Sequence, residues 1–553
     1  MTGNTADYGG AIENLGTLNV INSIFKDNIA SPSSSEGFGG AIDNYGGQLY
    51  AAYNIFTGNF ADNGKSLSNF GPYDVQFNFN ILDNSGNVIY DETYNDNDTD
   101  NTGIVNATNN WWGSDDNPLT QKTSGNVTCN PWIVLNIYAS PNLIETSGHS
   151  IITADLNHNS NGDDISSLGH IPDGWQVTFS HDIFGSVSSP TNTTINGIAT
   201  TTFTAGPKIG NTAINATVDA ETATTNIKIG IYDVYVSPTG SDTTGDGTQS
   251  SPLQSIGEGL IWVLPEGRIH ISNGIYTGSK NKNMVIDKNI SIIGESKAGT
   301  IIDNQYMVGN RIFYVNNGIT VAIHNLTITT AIKPDFGGAI YNSGTLTING
   351  CNFTENDANN GGVIYNSGIL TITGSNFSFN SATYVSSGDG YGGVIYNIGT
   401  CTVTSSTFNN NTAAIDGSVI YTTNANTQIH FNRIIDNKDL SIYSTVSGVN
   451  AINNWWGSNP SPLEKVSNNV NVSTWLILTI TANPISIPVS GTSNITADLN
   501  HNWDGTNIQD VSALGHVQDG IPINFTTTSG IIDSSMLTIN GTAIATLTGT
   551  EYA

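Results

Sequence analysis

Apolar residues along this chain recur at every second position over short runs, and Gly or Asn closes most of them. "TLTING" from Thr345 and "ILTITG" from Ile369 are typical. A two-residue period is that of strands with one buried face, and the Gly/Asn punctuation marks turns between them.

These runs belong to a larger unit. G-G-x-I-x-N-x-G appears as "GGAIENLG" at Gly9, "GGAIDNYG" at Gly39, "GGAIYNSG" at Gly337, "GGVIYNSG" at Gly361 and "GGVIYNIG" at Gly392, spaced by 30, 24 and 31 residues within the clusters. F-x-x-N follows as "FKDN" at Phe25, "FTEN" at Phe353, "FSFN" at Phe377 and "FNNN" at Phe408. One unit thus holds two or three very short strands in roughly 24 residues, which cannot bury an apolar face alone and must stack as a rung of a parallel β-helix. The residue after the repeated Ile is Glu13, Asp43, Tyr341, Tyr365 or Tyr396. Carboxylates there belong in water, so Ile12, Ile42, Ile340, Ile364 and Ile395 are expected to point inward. Leu346, Ile348 and Phe353 continue that interior, as do Leu370, Ile372 and Phe377. Cys401 aligns with Leu346 and Leu370 and reads as a small buried hydrophobe. Asn342, Asn366 and Asn397 are expected at a turn that tolerates unusual backbone angles, with stacked amides bonding rung to rung.

The ends of such a solenoid expose sheet edge and core, so caps are expected. After the Gly/Asp-rich loop that follows Val234, Leu253, Ile256, Leu260 and Ile261 fall at helical spacing and predict a short amphipathic helix over the first rung. "NNWWGSDDNP" at Asn109 and "NNWWGSNPSP" at Asn453 are 455 − 111 = 344 residues apart. They supply the other lid: Trp111 with Trp112, and Trp455 with Trp456, are read as structural caps over the last rung. After each lid comes a run of about seven short strands with an Asn-Gly hairpin turn, which suits an immunoglobulin-like sandwich without its disulfide. "SIITADLNHN" at Ser150 restarts as "SNITADLNHN" at Ser493. The predicted layout is the C-terminal part of a β-helix over 1–132, an immunoglobulin-like sandwich over 133–230, a complete β-helix of roughly eight rungs with an N-terminal cap over 231–475, and a truncated sandwich over 476–553. At the 344-residue offset Ala553 corresponds to Ile209, ahead of the first sandwich's last two strands. Both ends are therefore expected to be cut from a longer array, and the second sandwich to be poorly closed.

Composition sharpens this picture. The 553 residues exceed one ordinary core. Only 11% are charged, and 15 Lys and Arg against 45 Asp and Glu give a formal charge of −30, which disfavours nucleic acid and anionic membranes as partners. Scarce helix formers and plentiful β-branched residues make the class all-β. No apolar run is long enough to span a bilayer, and "TGNTADYGG" after Met1 predicts no signal peptide. Cys129, Cys351 and Cys401 show neither metal spacing nor a disulfide framework.

The tandem "GGAI" and "FxxN" strings resemble the repeats of polymorphic outer membrane proteins. The whole order of solenoid, "NNWWGS" and a domain with "ITADLNHN" and "GHIPDG" resembles adhesin-like surface proteins of methanogenic archaea, with their invasin-type bacterial Ig-like domains. That resemblance covers nearly the entire chain. It implies right-handed parallel β-helix solenoids of pectin-lyase type alternating with immunoglobulin-like β-sandwiches, in a secreted, cell-surface protein.

The pectin-lyase fold also hosts polysaccharide lyases and hydrolases. A lyase of that type needs acidic calcium ligands beside a cationic base, and only Arg268, Arg311 and Arg433 are present. Arg433 has His430 and Asp436 near it in sequence but no partner motif. "SDDN" at Ser114 and "GDDI" at Gly162 fall in loops. No catalytic residue is assigned.

Tyr341, Tyr365, Tyr396 and Tyr421 share one outward repeat position. They form a predicted aromatic ladder at about 4.8 Å spacing that would receive sugar rings or a partner protein, or stack on itself. "DLNHNSNGDD" at Asp155 and "DLNHNWDG" at Asp498 alternate oxygen ligands as calcium loops do. The calcium candidates are Asp155, Asn157, Asn159 and Asp163, and Asp498, Asn500, Asn502 and Asp504, with an Asx-rich turn as the competing explanation. "YNDNDTDN" from Tyr94 is a similar case. Sequons occur at Asn106, Asn325, Asn352, Asn376 and Asn494. No cofactor other than possible calcium is expected. The functional expectation is a non-catalytic, extracellular adhesin-like stalk that attaches to a glycan or protein of another cell; the alternative is a β-helical polysaccharide lyase or hydrolase with accessory domains.

Overall fold

In the computed structural model, which describes residues 1–31, 36–92, 102–383 and 389–550, the chain forms two compact units, Met1–Gly230 and Ile231–Ala553. Each runs from a parallel β-helix into antiparallel sheets. The Tyr94 segment lies outside the described residues.

The first β-helix has three faces. Five strands stack on one (Ile12–Asn14, Ile42–Tyr45, Leu67–Phe70, Ile89–Asp91, Thr123–Ser124), five on the next, and Ile24–Lys26, Ile55–Thr57 and Ile81–Asp83 on the third. The second has two seven-stranded faces, a third on which Val263–Ile271, Ile290–Gly294, Thr320–His324 and the strands after them stack, and a four-stranded sheet running from Ile332–Phe336 to Thr412–Ala413. Along these faces successive rungs pair in register, so like stacks on like: Phe313, Ile340, Ile364, Ile395, Ile420 and Ile442 make one column, and all six are fully buried. Leu346, Leu370 and Cys401 make another. Phe353, Phe377 and Phe408 stack at 4.9 Å between successive ring centroids, the strand spacing. Each such side chain contributes about 1.5–3 kcal/mol by leaving water.

A second interior device is polar. Asn356, Asn380, Asn411 and Asn437 are consecutive steps of a ladder in which each Nδ2 donates to the next Oδ1 at 3.0, 3.0 and 2.9 Å. Each Oδ1 also accepts from the backbone N–H of the preceding step, so the amides are satisfied without water. Asn54, Asn80 and Asn110 repeat the pattern in the first β-helix. The expected Asn342–Asn366–Asn397 ladder also forms, at 2.7 Å per step. Its location differs from expectation: these residues end strands, are fully buried and have ordinary backbone angles. The left-handed conformation falls instead on residues such as Glu355, Phe379 and Ser405. Asn342 Oδ1 also accepts from the Gly344 N–H at 3.2 Å, so the amide ties the bend that follows its strand.

The cap helix spans Ile256–Trp262, with Ser255 as N-cap accepting from the Glu258 N–H. Ile256 and Leu260 are buried and Leu253 packs with them, but Ile261 is 44% exposed. The helix is one residue narrower in its apolar face than its sequence suggests. Gly259 explains the tolerance of glycine: a Cβ there would sit 3.1 Å from Val236 and 3.4 Å from Ile269 of the rung beneath.

The tryptophan pairs are not lids on the last rung. Trp111 pairs with Ile81 and Trp455 with Arg433, so Trp112 continues the Phe25–Phe56–Leu82 column and Trp456 continues the one through Phe408 and Ile434. Further strands follow, Thr123–Ser124 and Val127–Thr128 in one unit and Val470–Asn471 in the other. By strand alternation the two indoles of a pair face opposite ways. Trp112 is buried in the solenoid core with Phe56 and Phe77, whereas Trp111 is buried in the core of the following sheets with Ile133, Ile152 and Phe203. Trp455 likewise packs against Leu476 and Leu499, and Trp456 is 1% exposed. Each pair belongs to two cores at once.

The first antiparallel module is a two-sheet sandwich. Ile133–Ser140, His149–Asn159, Ile198–Ala205 and Gly185–Val187 form one sheet; Thr191–Thr193, Gln176–His181, Gly210–Val218 and Glu221–Val236, with Leu143–Glu145, form the other. In the second module Trp475–Asn483, Thr492–Trp503, Thr542–Thr548 and Ile531–Ile532, with Ile508–Asp510, face a sheet of only two described strands, Pro522–Asn524 and Ser535–Leu537. Ile480 and Ile544 are 67% and 49% exposed there.

Candidate functional site

The outward position beside the Ile column carries Tyr314, Tyr341, Tyr365, Tyr396, Tyr421 and Tyr443, paired one to the next. Parallel in-register strands leave them no choice but to stack, and successive centroids lie 4.8, 4.7, 5.5, 5.0 and 5.4 Å apart. All six are half-buried. Phe336 tilts onto Tyr365 at 4.7 Å and Tyr391 onto Tyr421 at 4.5 Å. Arg311 lies 5.0 Å from the Tyr341 centroid and bonds Asp335 at 2.8 Å. Burial pushes the Tyr341, Tyr365 and Tyr396 phenols up, and Tyr421 to about 12, so these four phenols stay neutral at physiological pH.

The four predicted tyrosines are thus together, and the reading from repeats missed two. Tyr314 and Tyr443 lie in "FYV" and "IYS", which share the apolar-Tyr pair but lack the glycine that stands four residues before each of the other four tyrosines. The stacking also limits the chemistry. Ring faces are spent on neighbouring rings, and what remains outward is ring edges and hydroxyls. Sugar recognition by stacking needs a free face, so this column suits edge and hydroxyl contacts.

The direction argument from carboxylates holds for Glu13, which is exposed, and fails for Asp43, which is 2% exposed. Ser68 Oγ donates to Asp43 Oδ1, and burial pushes the Asp43 carboxyl up to about 6. Its strand position does face away from the Ile column, yet its side chain is almost wholly shut from water.

The two Asp-Leu-Asn-His-Asn segments end long strands rather than forming free loops. Asp155 Oδ1 accepts from the Asn157 N–H at 2.8 Å, and Asp498 Oδ1 from the Asn500 N–H at 2.7 Å. Asn157 and Asn500 reach hairpin turns at Asn196 and Asn540, both at 2.9 Å. Asn159 Oδ1 accepts from the Asn161 and Asp163 N–H groups. Asn502 donates to Asn453 of its own unit's solenoid, and Asp504 closes its own turn with Thr506 and Asn507. Among the described residues no group of three or more His, Cys, Asp or Glu side chains is placed to hold a metal ion.

The arginines are dispersed. Arg268 and His270 both reach Asp233, at 3.5 and 2.9 Å, and Arg311 belongs to the tyrosine column. Arg433 is half-buried on another face, while His430 engages the Ile452 carbonyl and Gln428. No helix among the described residues is long and apolar enough to cross a membrane.

Residues 405–423 match the Chlamydia polymorphic membrane protein (Chlamydia_PMP) repeat. This stretch contains Phe408, Asn411 and Tyr421, one step of the Phe, Asn and Tyr columns. No curated protein matches the chain. Among solved structures, a glycosyl hydrolase family 2 (GH2) member from Bacteroides cellulosilyticus is 20% identical over 17% of this chain and 14% of its own, with a TM-score of 0.15. The PL6 family alginate lyase AlyGC, and a single arginine-to-alanine mutant of it, are 11% identical over 83% of this chain and 69% of theirs, with TM-scores of 0.23 and 0.22.

Proposed function

We propose that this chain is a non-catalytic, adhesin-like scaffold of a cell surface, of the kind found in methanogenic archaea, whose right-handed solenoids alternate with invasin-type, immunoglobulin-like spacers and attach the cell to a glycan or protein of another. The observation that carries the reading is the divided tryptophan pair, which occurs in both units and ties each solenoid into the core of the module after it. Such construction serves a stalk that must transmit load, and the three arginines are dispersed rather than brought beside a shared group of acids. The polymorphic membrane protein repeat at 405–423 supports a surface location. In this reading the Asp155 and Asp498 segments are Asx turns and calcium is dispensable, so melting is the same with calcium as with chelator.

The experiment is a glycan-array and whole-cell binding screen of the chain beside a Tyr365→Ser/Tyr396→Ser variant, with alginate and pectin incubated in parallel. Retention on cells or glycans, weakened by the double substitution, and no unsaturated sugar product are the expected results. Release of unsaturated oligosaccharide would replace this reading with the lyase one.

A further inference from the structure

The strand position that bears the tyrosine column in the second β-helix bears different chemistry in the first. There the in-register outward residues are Glu13, Asp43, Ser68 and Tyr90. Aromatic rings gather around them, mostly tilted to one another; Tyr8 and Phe38 are a near-parallel pair at 6.3 Å and 21°. Phe38 meets Phe70 at 5.3 Å and 76°, and Tyr90 at 5.8 Å and 47°; Tyr45 meets Phe70 at 5.9 Å and 43°. Tilted rings keep faces available, unlike the parallel tyrosines. They border a cavity of about 490 Å³ lined by four aromatic side chains, Tyr8, Phe38, Tyr45 and Phe70, by Leu15, and by three carboxylates, Glu13, Asp43 and Glu92.

Asp43 is the informative member. Its side chain is almost wholly buried, yet among the described residues Ser68 is its one hydrogen-bond donor and no Lys, Arg or His lies within ion-pair range of it. A carboxylate accepts up to about four hydrogen bonds, so this one is under-partnered where it faces the cavity. A neutral sugar has no need of three carboxylates, and an anion is repelled by them. A hard metal ion prefers an all-oxygen shell to ring faces. A cation with an apolar stem uses both halves of the wall: rings attract its charge through their quadrupole and cover its methylenes, and carboxylates neutralise it.

We propose that this cavity binds an alkylammonium group, the end of a lysine side chain presented by a partner protein. The net charge of −30 favours the approach of a basic partner, and the site is separate from the tyrosine column.

The test titrates the full chain with Nα-acetyl-lysine methylamide, tetramethylammonium and methyl glucoside, by calorimetry and by NMR. The lysine compound is expected to saturate and methyl glucoside not to bind. Asp43→Asn, which keeps a hydrogen-bonding partner for Ser68, and the exposed Glu13→Gln should each weaken binding about tenfold. Affinity should also fall as pH drops through about 6, where Asp43 takes up its proton. The proposal is overturned if the lysine compound does not saturate, if tetramethylammonium alone binds, if methyl glucoside binds equally well, or if a folded Glu13→Gln chain binds with unchanged affinity at every pH.

Discussion

Asn380 shows what a single residue does here. Its amide donates to the Phe353 carbonyl and to Asn411, and its oxygen accepts from the backbone and side chain of Asn356. Truncation strands several buried polar groups at once, so Asn380→Ala should lower the unfolding free energy by about 3 kcal/mol in chemical denaturation. The exposed Asn349→Ala should stay within about 0.5 kcal/mol of the parent. The inner indoles carry the opposite lesson. The indole N–H groups of Trp112 and Trp456 are buried with no hydrogen-bond partner among the described residues, so what these side chains supply is bulk. Trp456→Phe, matching the Phe377 and Phe408 rings in its column, should cost under about 1.5 kcal/mol, whereas Trp456→Ala should cost about 3–5 kcal/mol. Two buried carboxyls add a pH signature. Burial pushes Asp43 and Asp91 from 3.8 up to about 6, so the folded chain holds these protons more tightly than the unfolded one. Their contribution, up to about 2–3 kcal/mol each, is complete below about pH 4 and lost as pH rises through 6. Denaturation at pH 4.5 and 7.5 should show the difference, and Asp43→Asn with Asp91→Asn should flatten it. The sequence revealed which way Asp43 points, because alternation is local. Alternation does not report how far an outward position is covered, and Asp43 is 2% exposed.

At the scale of elements, the rungs were legible because each apolar position recurs at a fixed place in a repeat, and in-register pairing turns that recurrence into a column. The six-membered tyrosine stack follows from the same rule, and Tyr314 and Tyr443 lie where a rung lacks the glycine four residues before the tyrosine but keeps the strand. The tryptophans were read as lids because their partners on the outer side come from a module with no repeat to align. The second antiparallel module was expected to be poorly closed. It has a two-stranded sheet where the first has five strands, and its apolar residues split into two small clusters. Amides of Thr492–Trp503 should therefore exchange hydrogen markedly faster than those of His149–Asn159. Equal protection of the two strands would contradict this.

At the scale of the whole molecule, one construction is used twice. In each unit a Gly-His loop lies flat on an aromatic residue of the solenoid: a Cβ on Gly169 would fall 3.1 Å from Phe79, and one on Gly515 2.8 Å from Phe431. Hydrogen bonds from Ser405 to the His516 carbonyl and from Gln518 to Gly374 hold the second loop down. The divided indoles complete the joint, and Trp111 is further fixed by donating to Asp219 at 2.7 Å. Solenoid and following module are thus expected to respond as one body within each unit. Hydrogen exchange of the intact chain carrying Trp111→Ala tests this most directly. Protection should fall on both sides of the joint, in Ile81–Asp83 of the solenoid and in Ile133–Ser140 and His149–Asn159 of the sandwich. A loss confined to the sandwich, with the solenoid strands as protected as before, would contradict the shared core on which the scaffold reading stands.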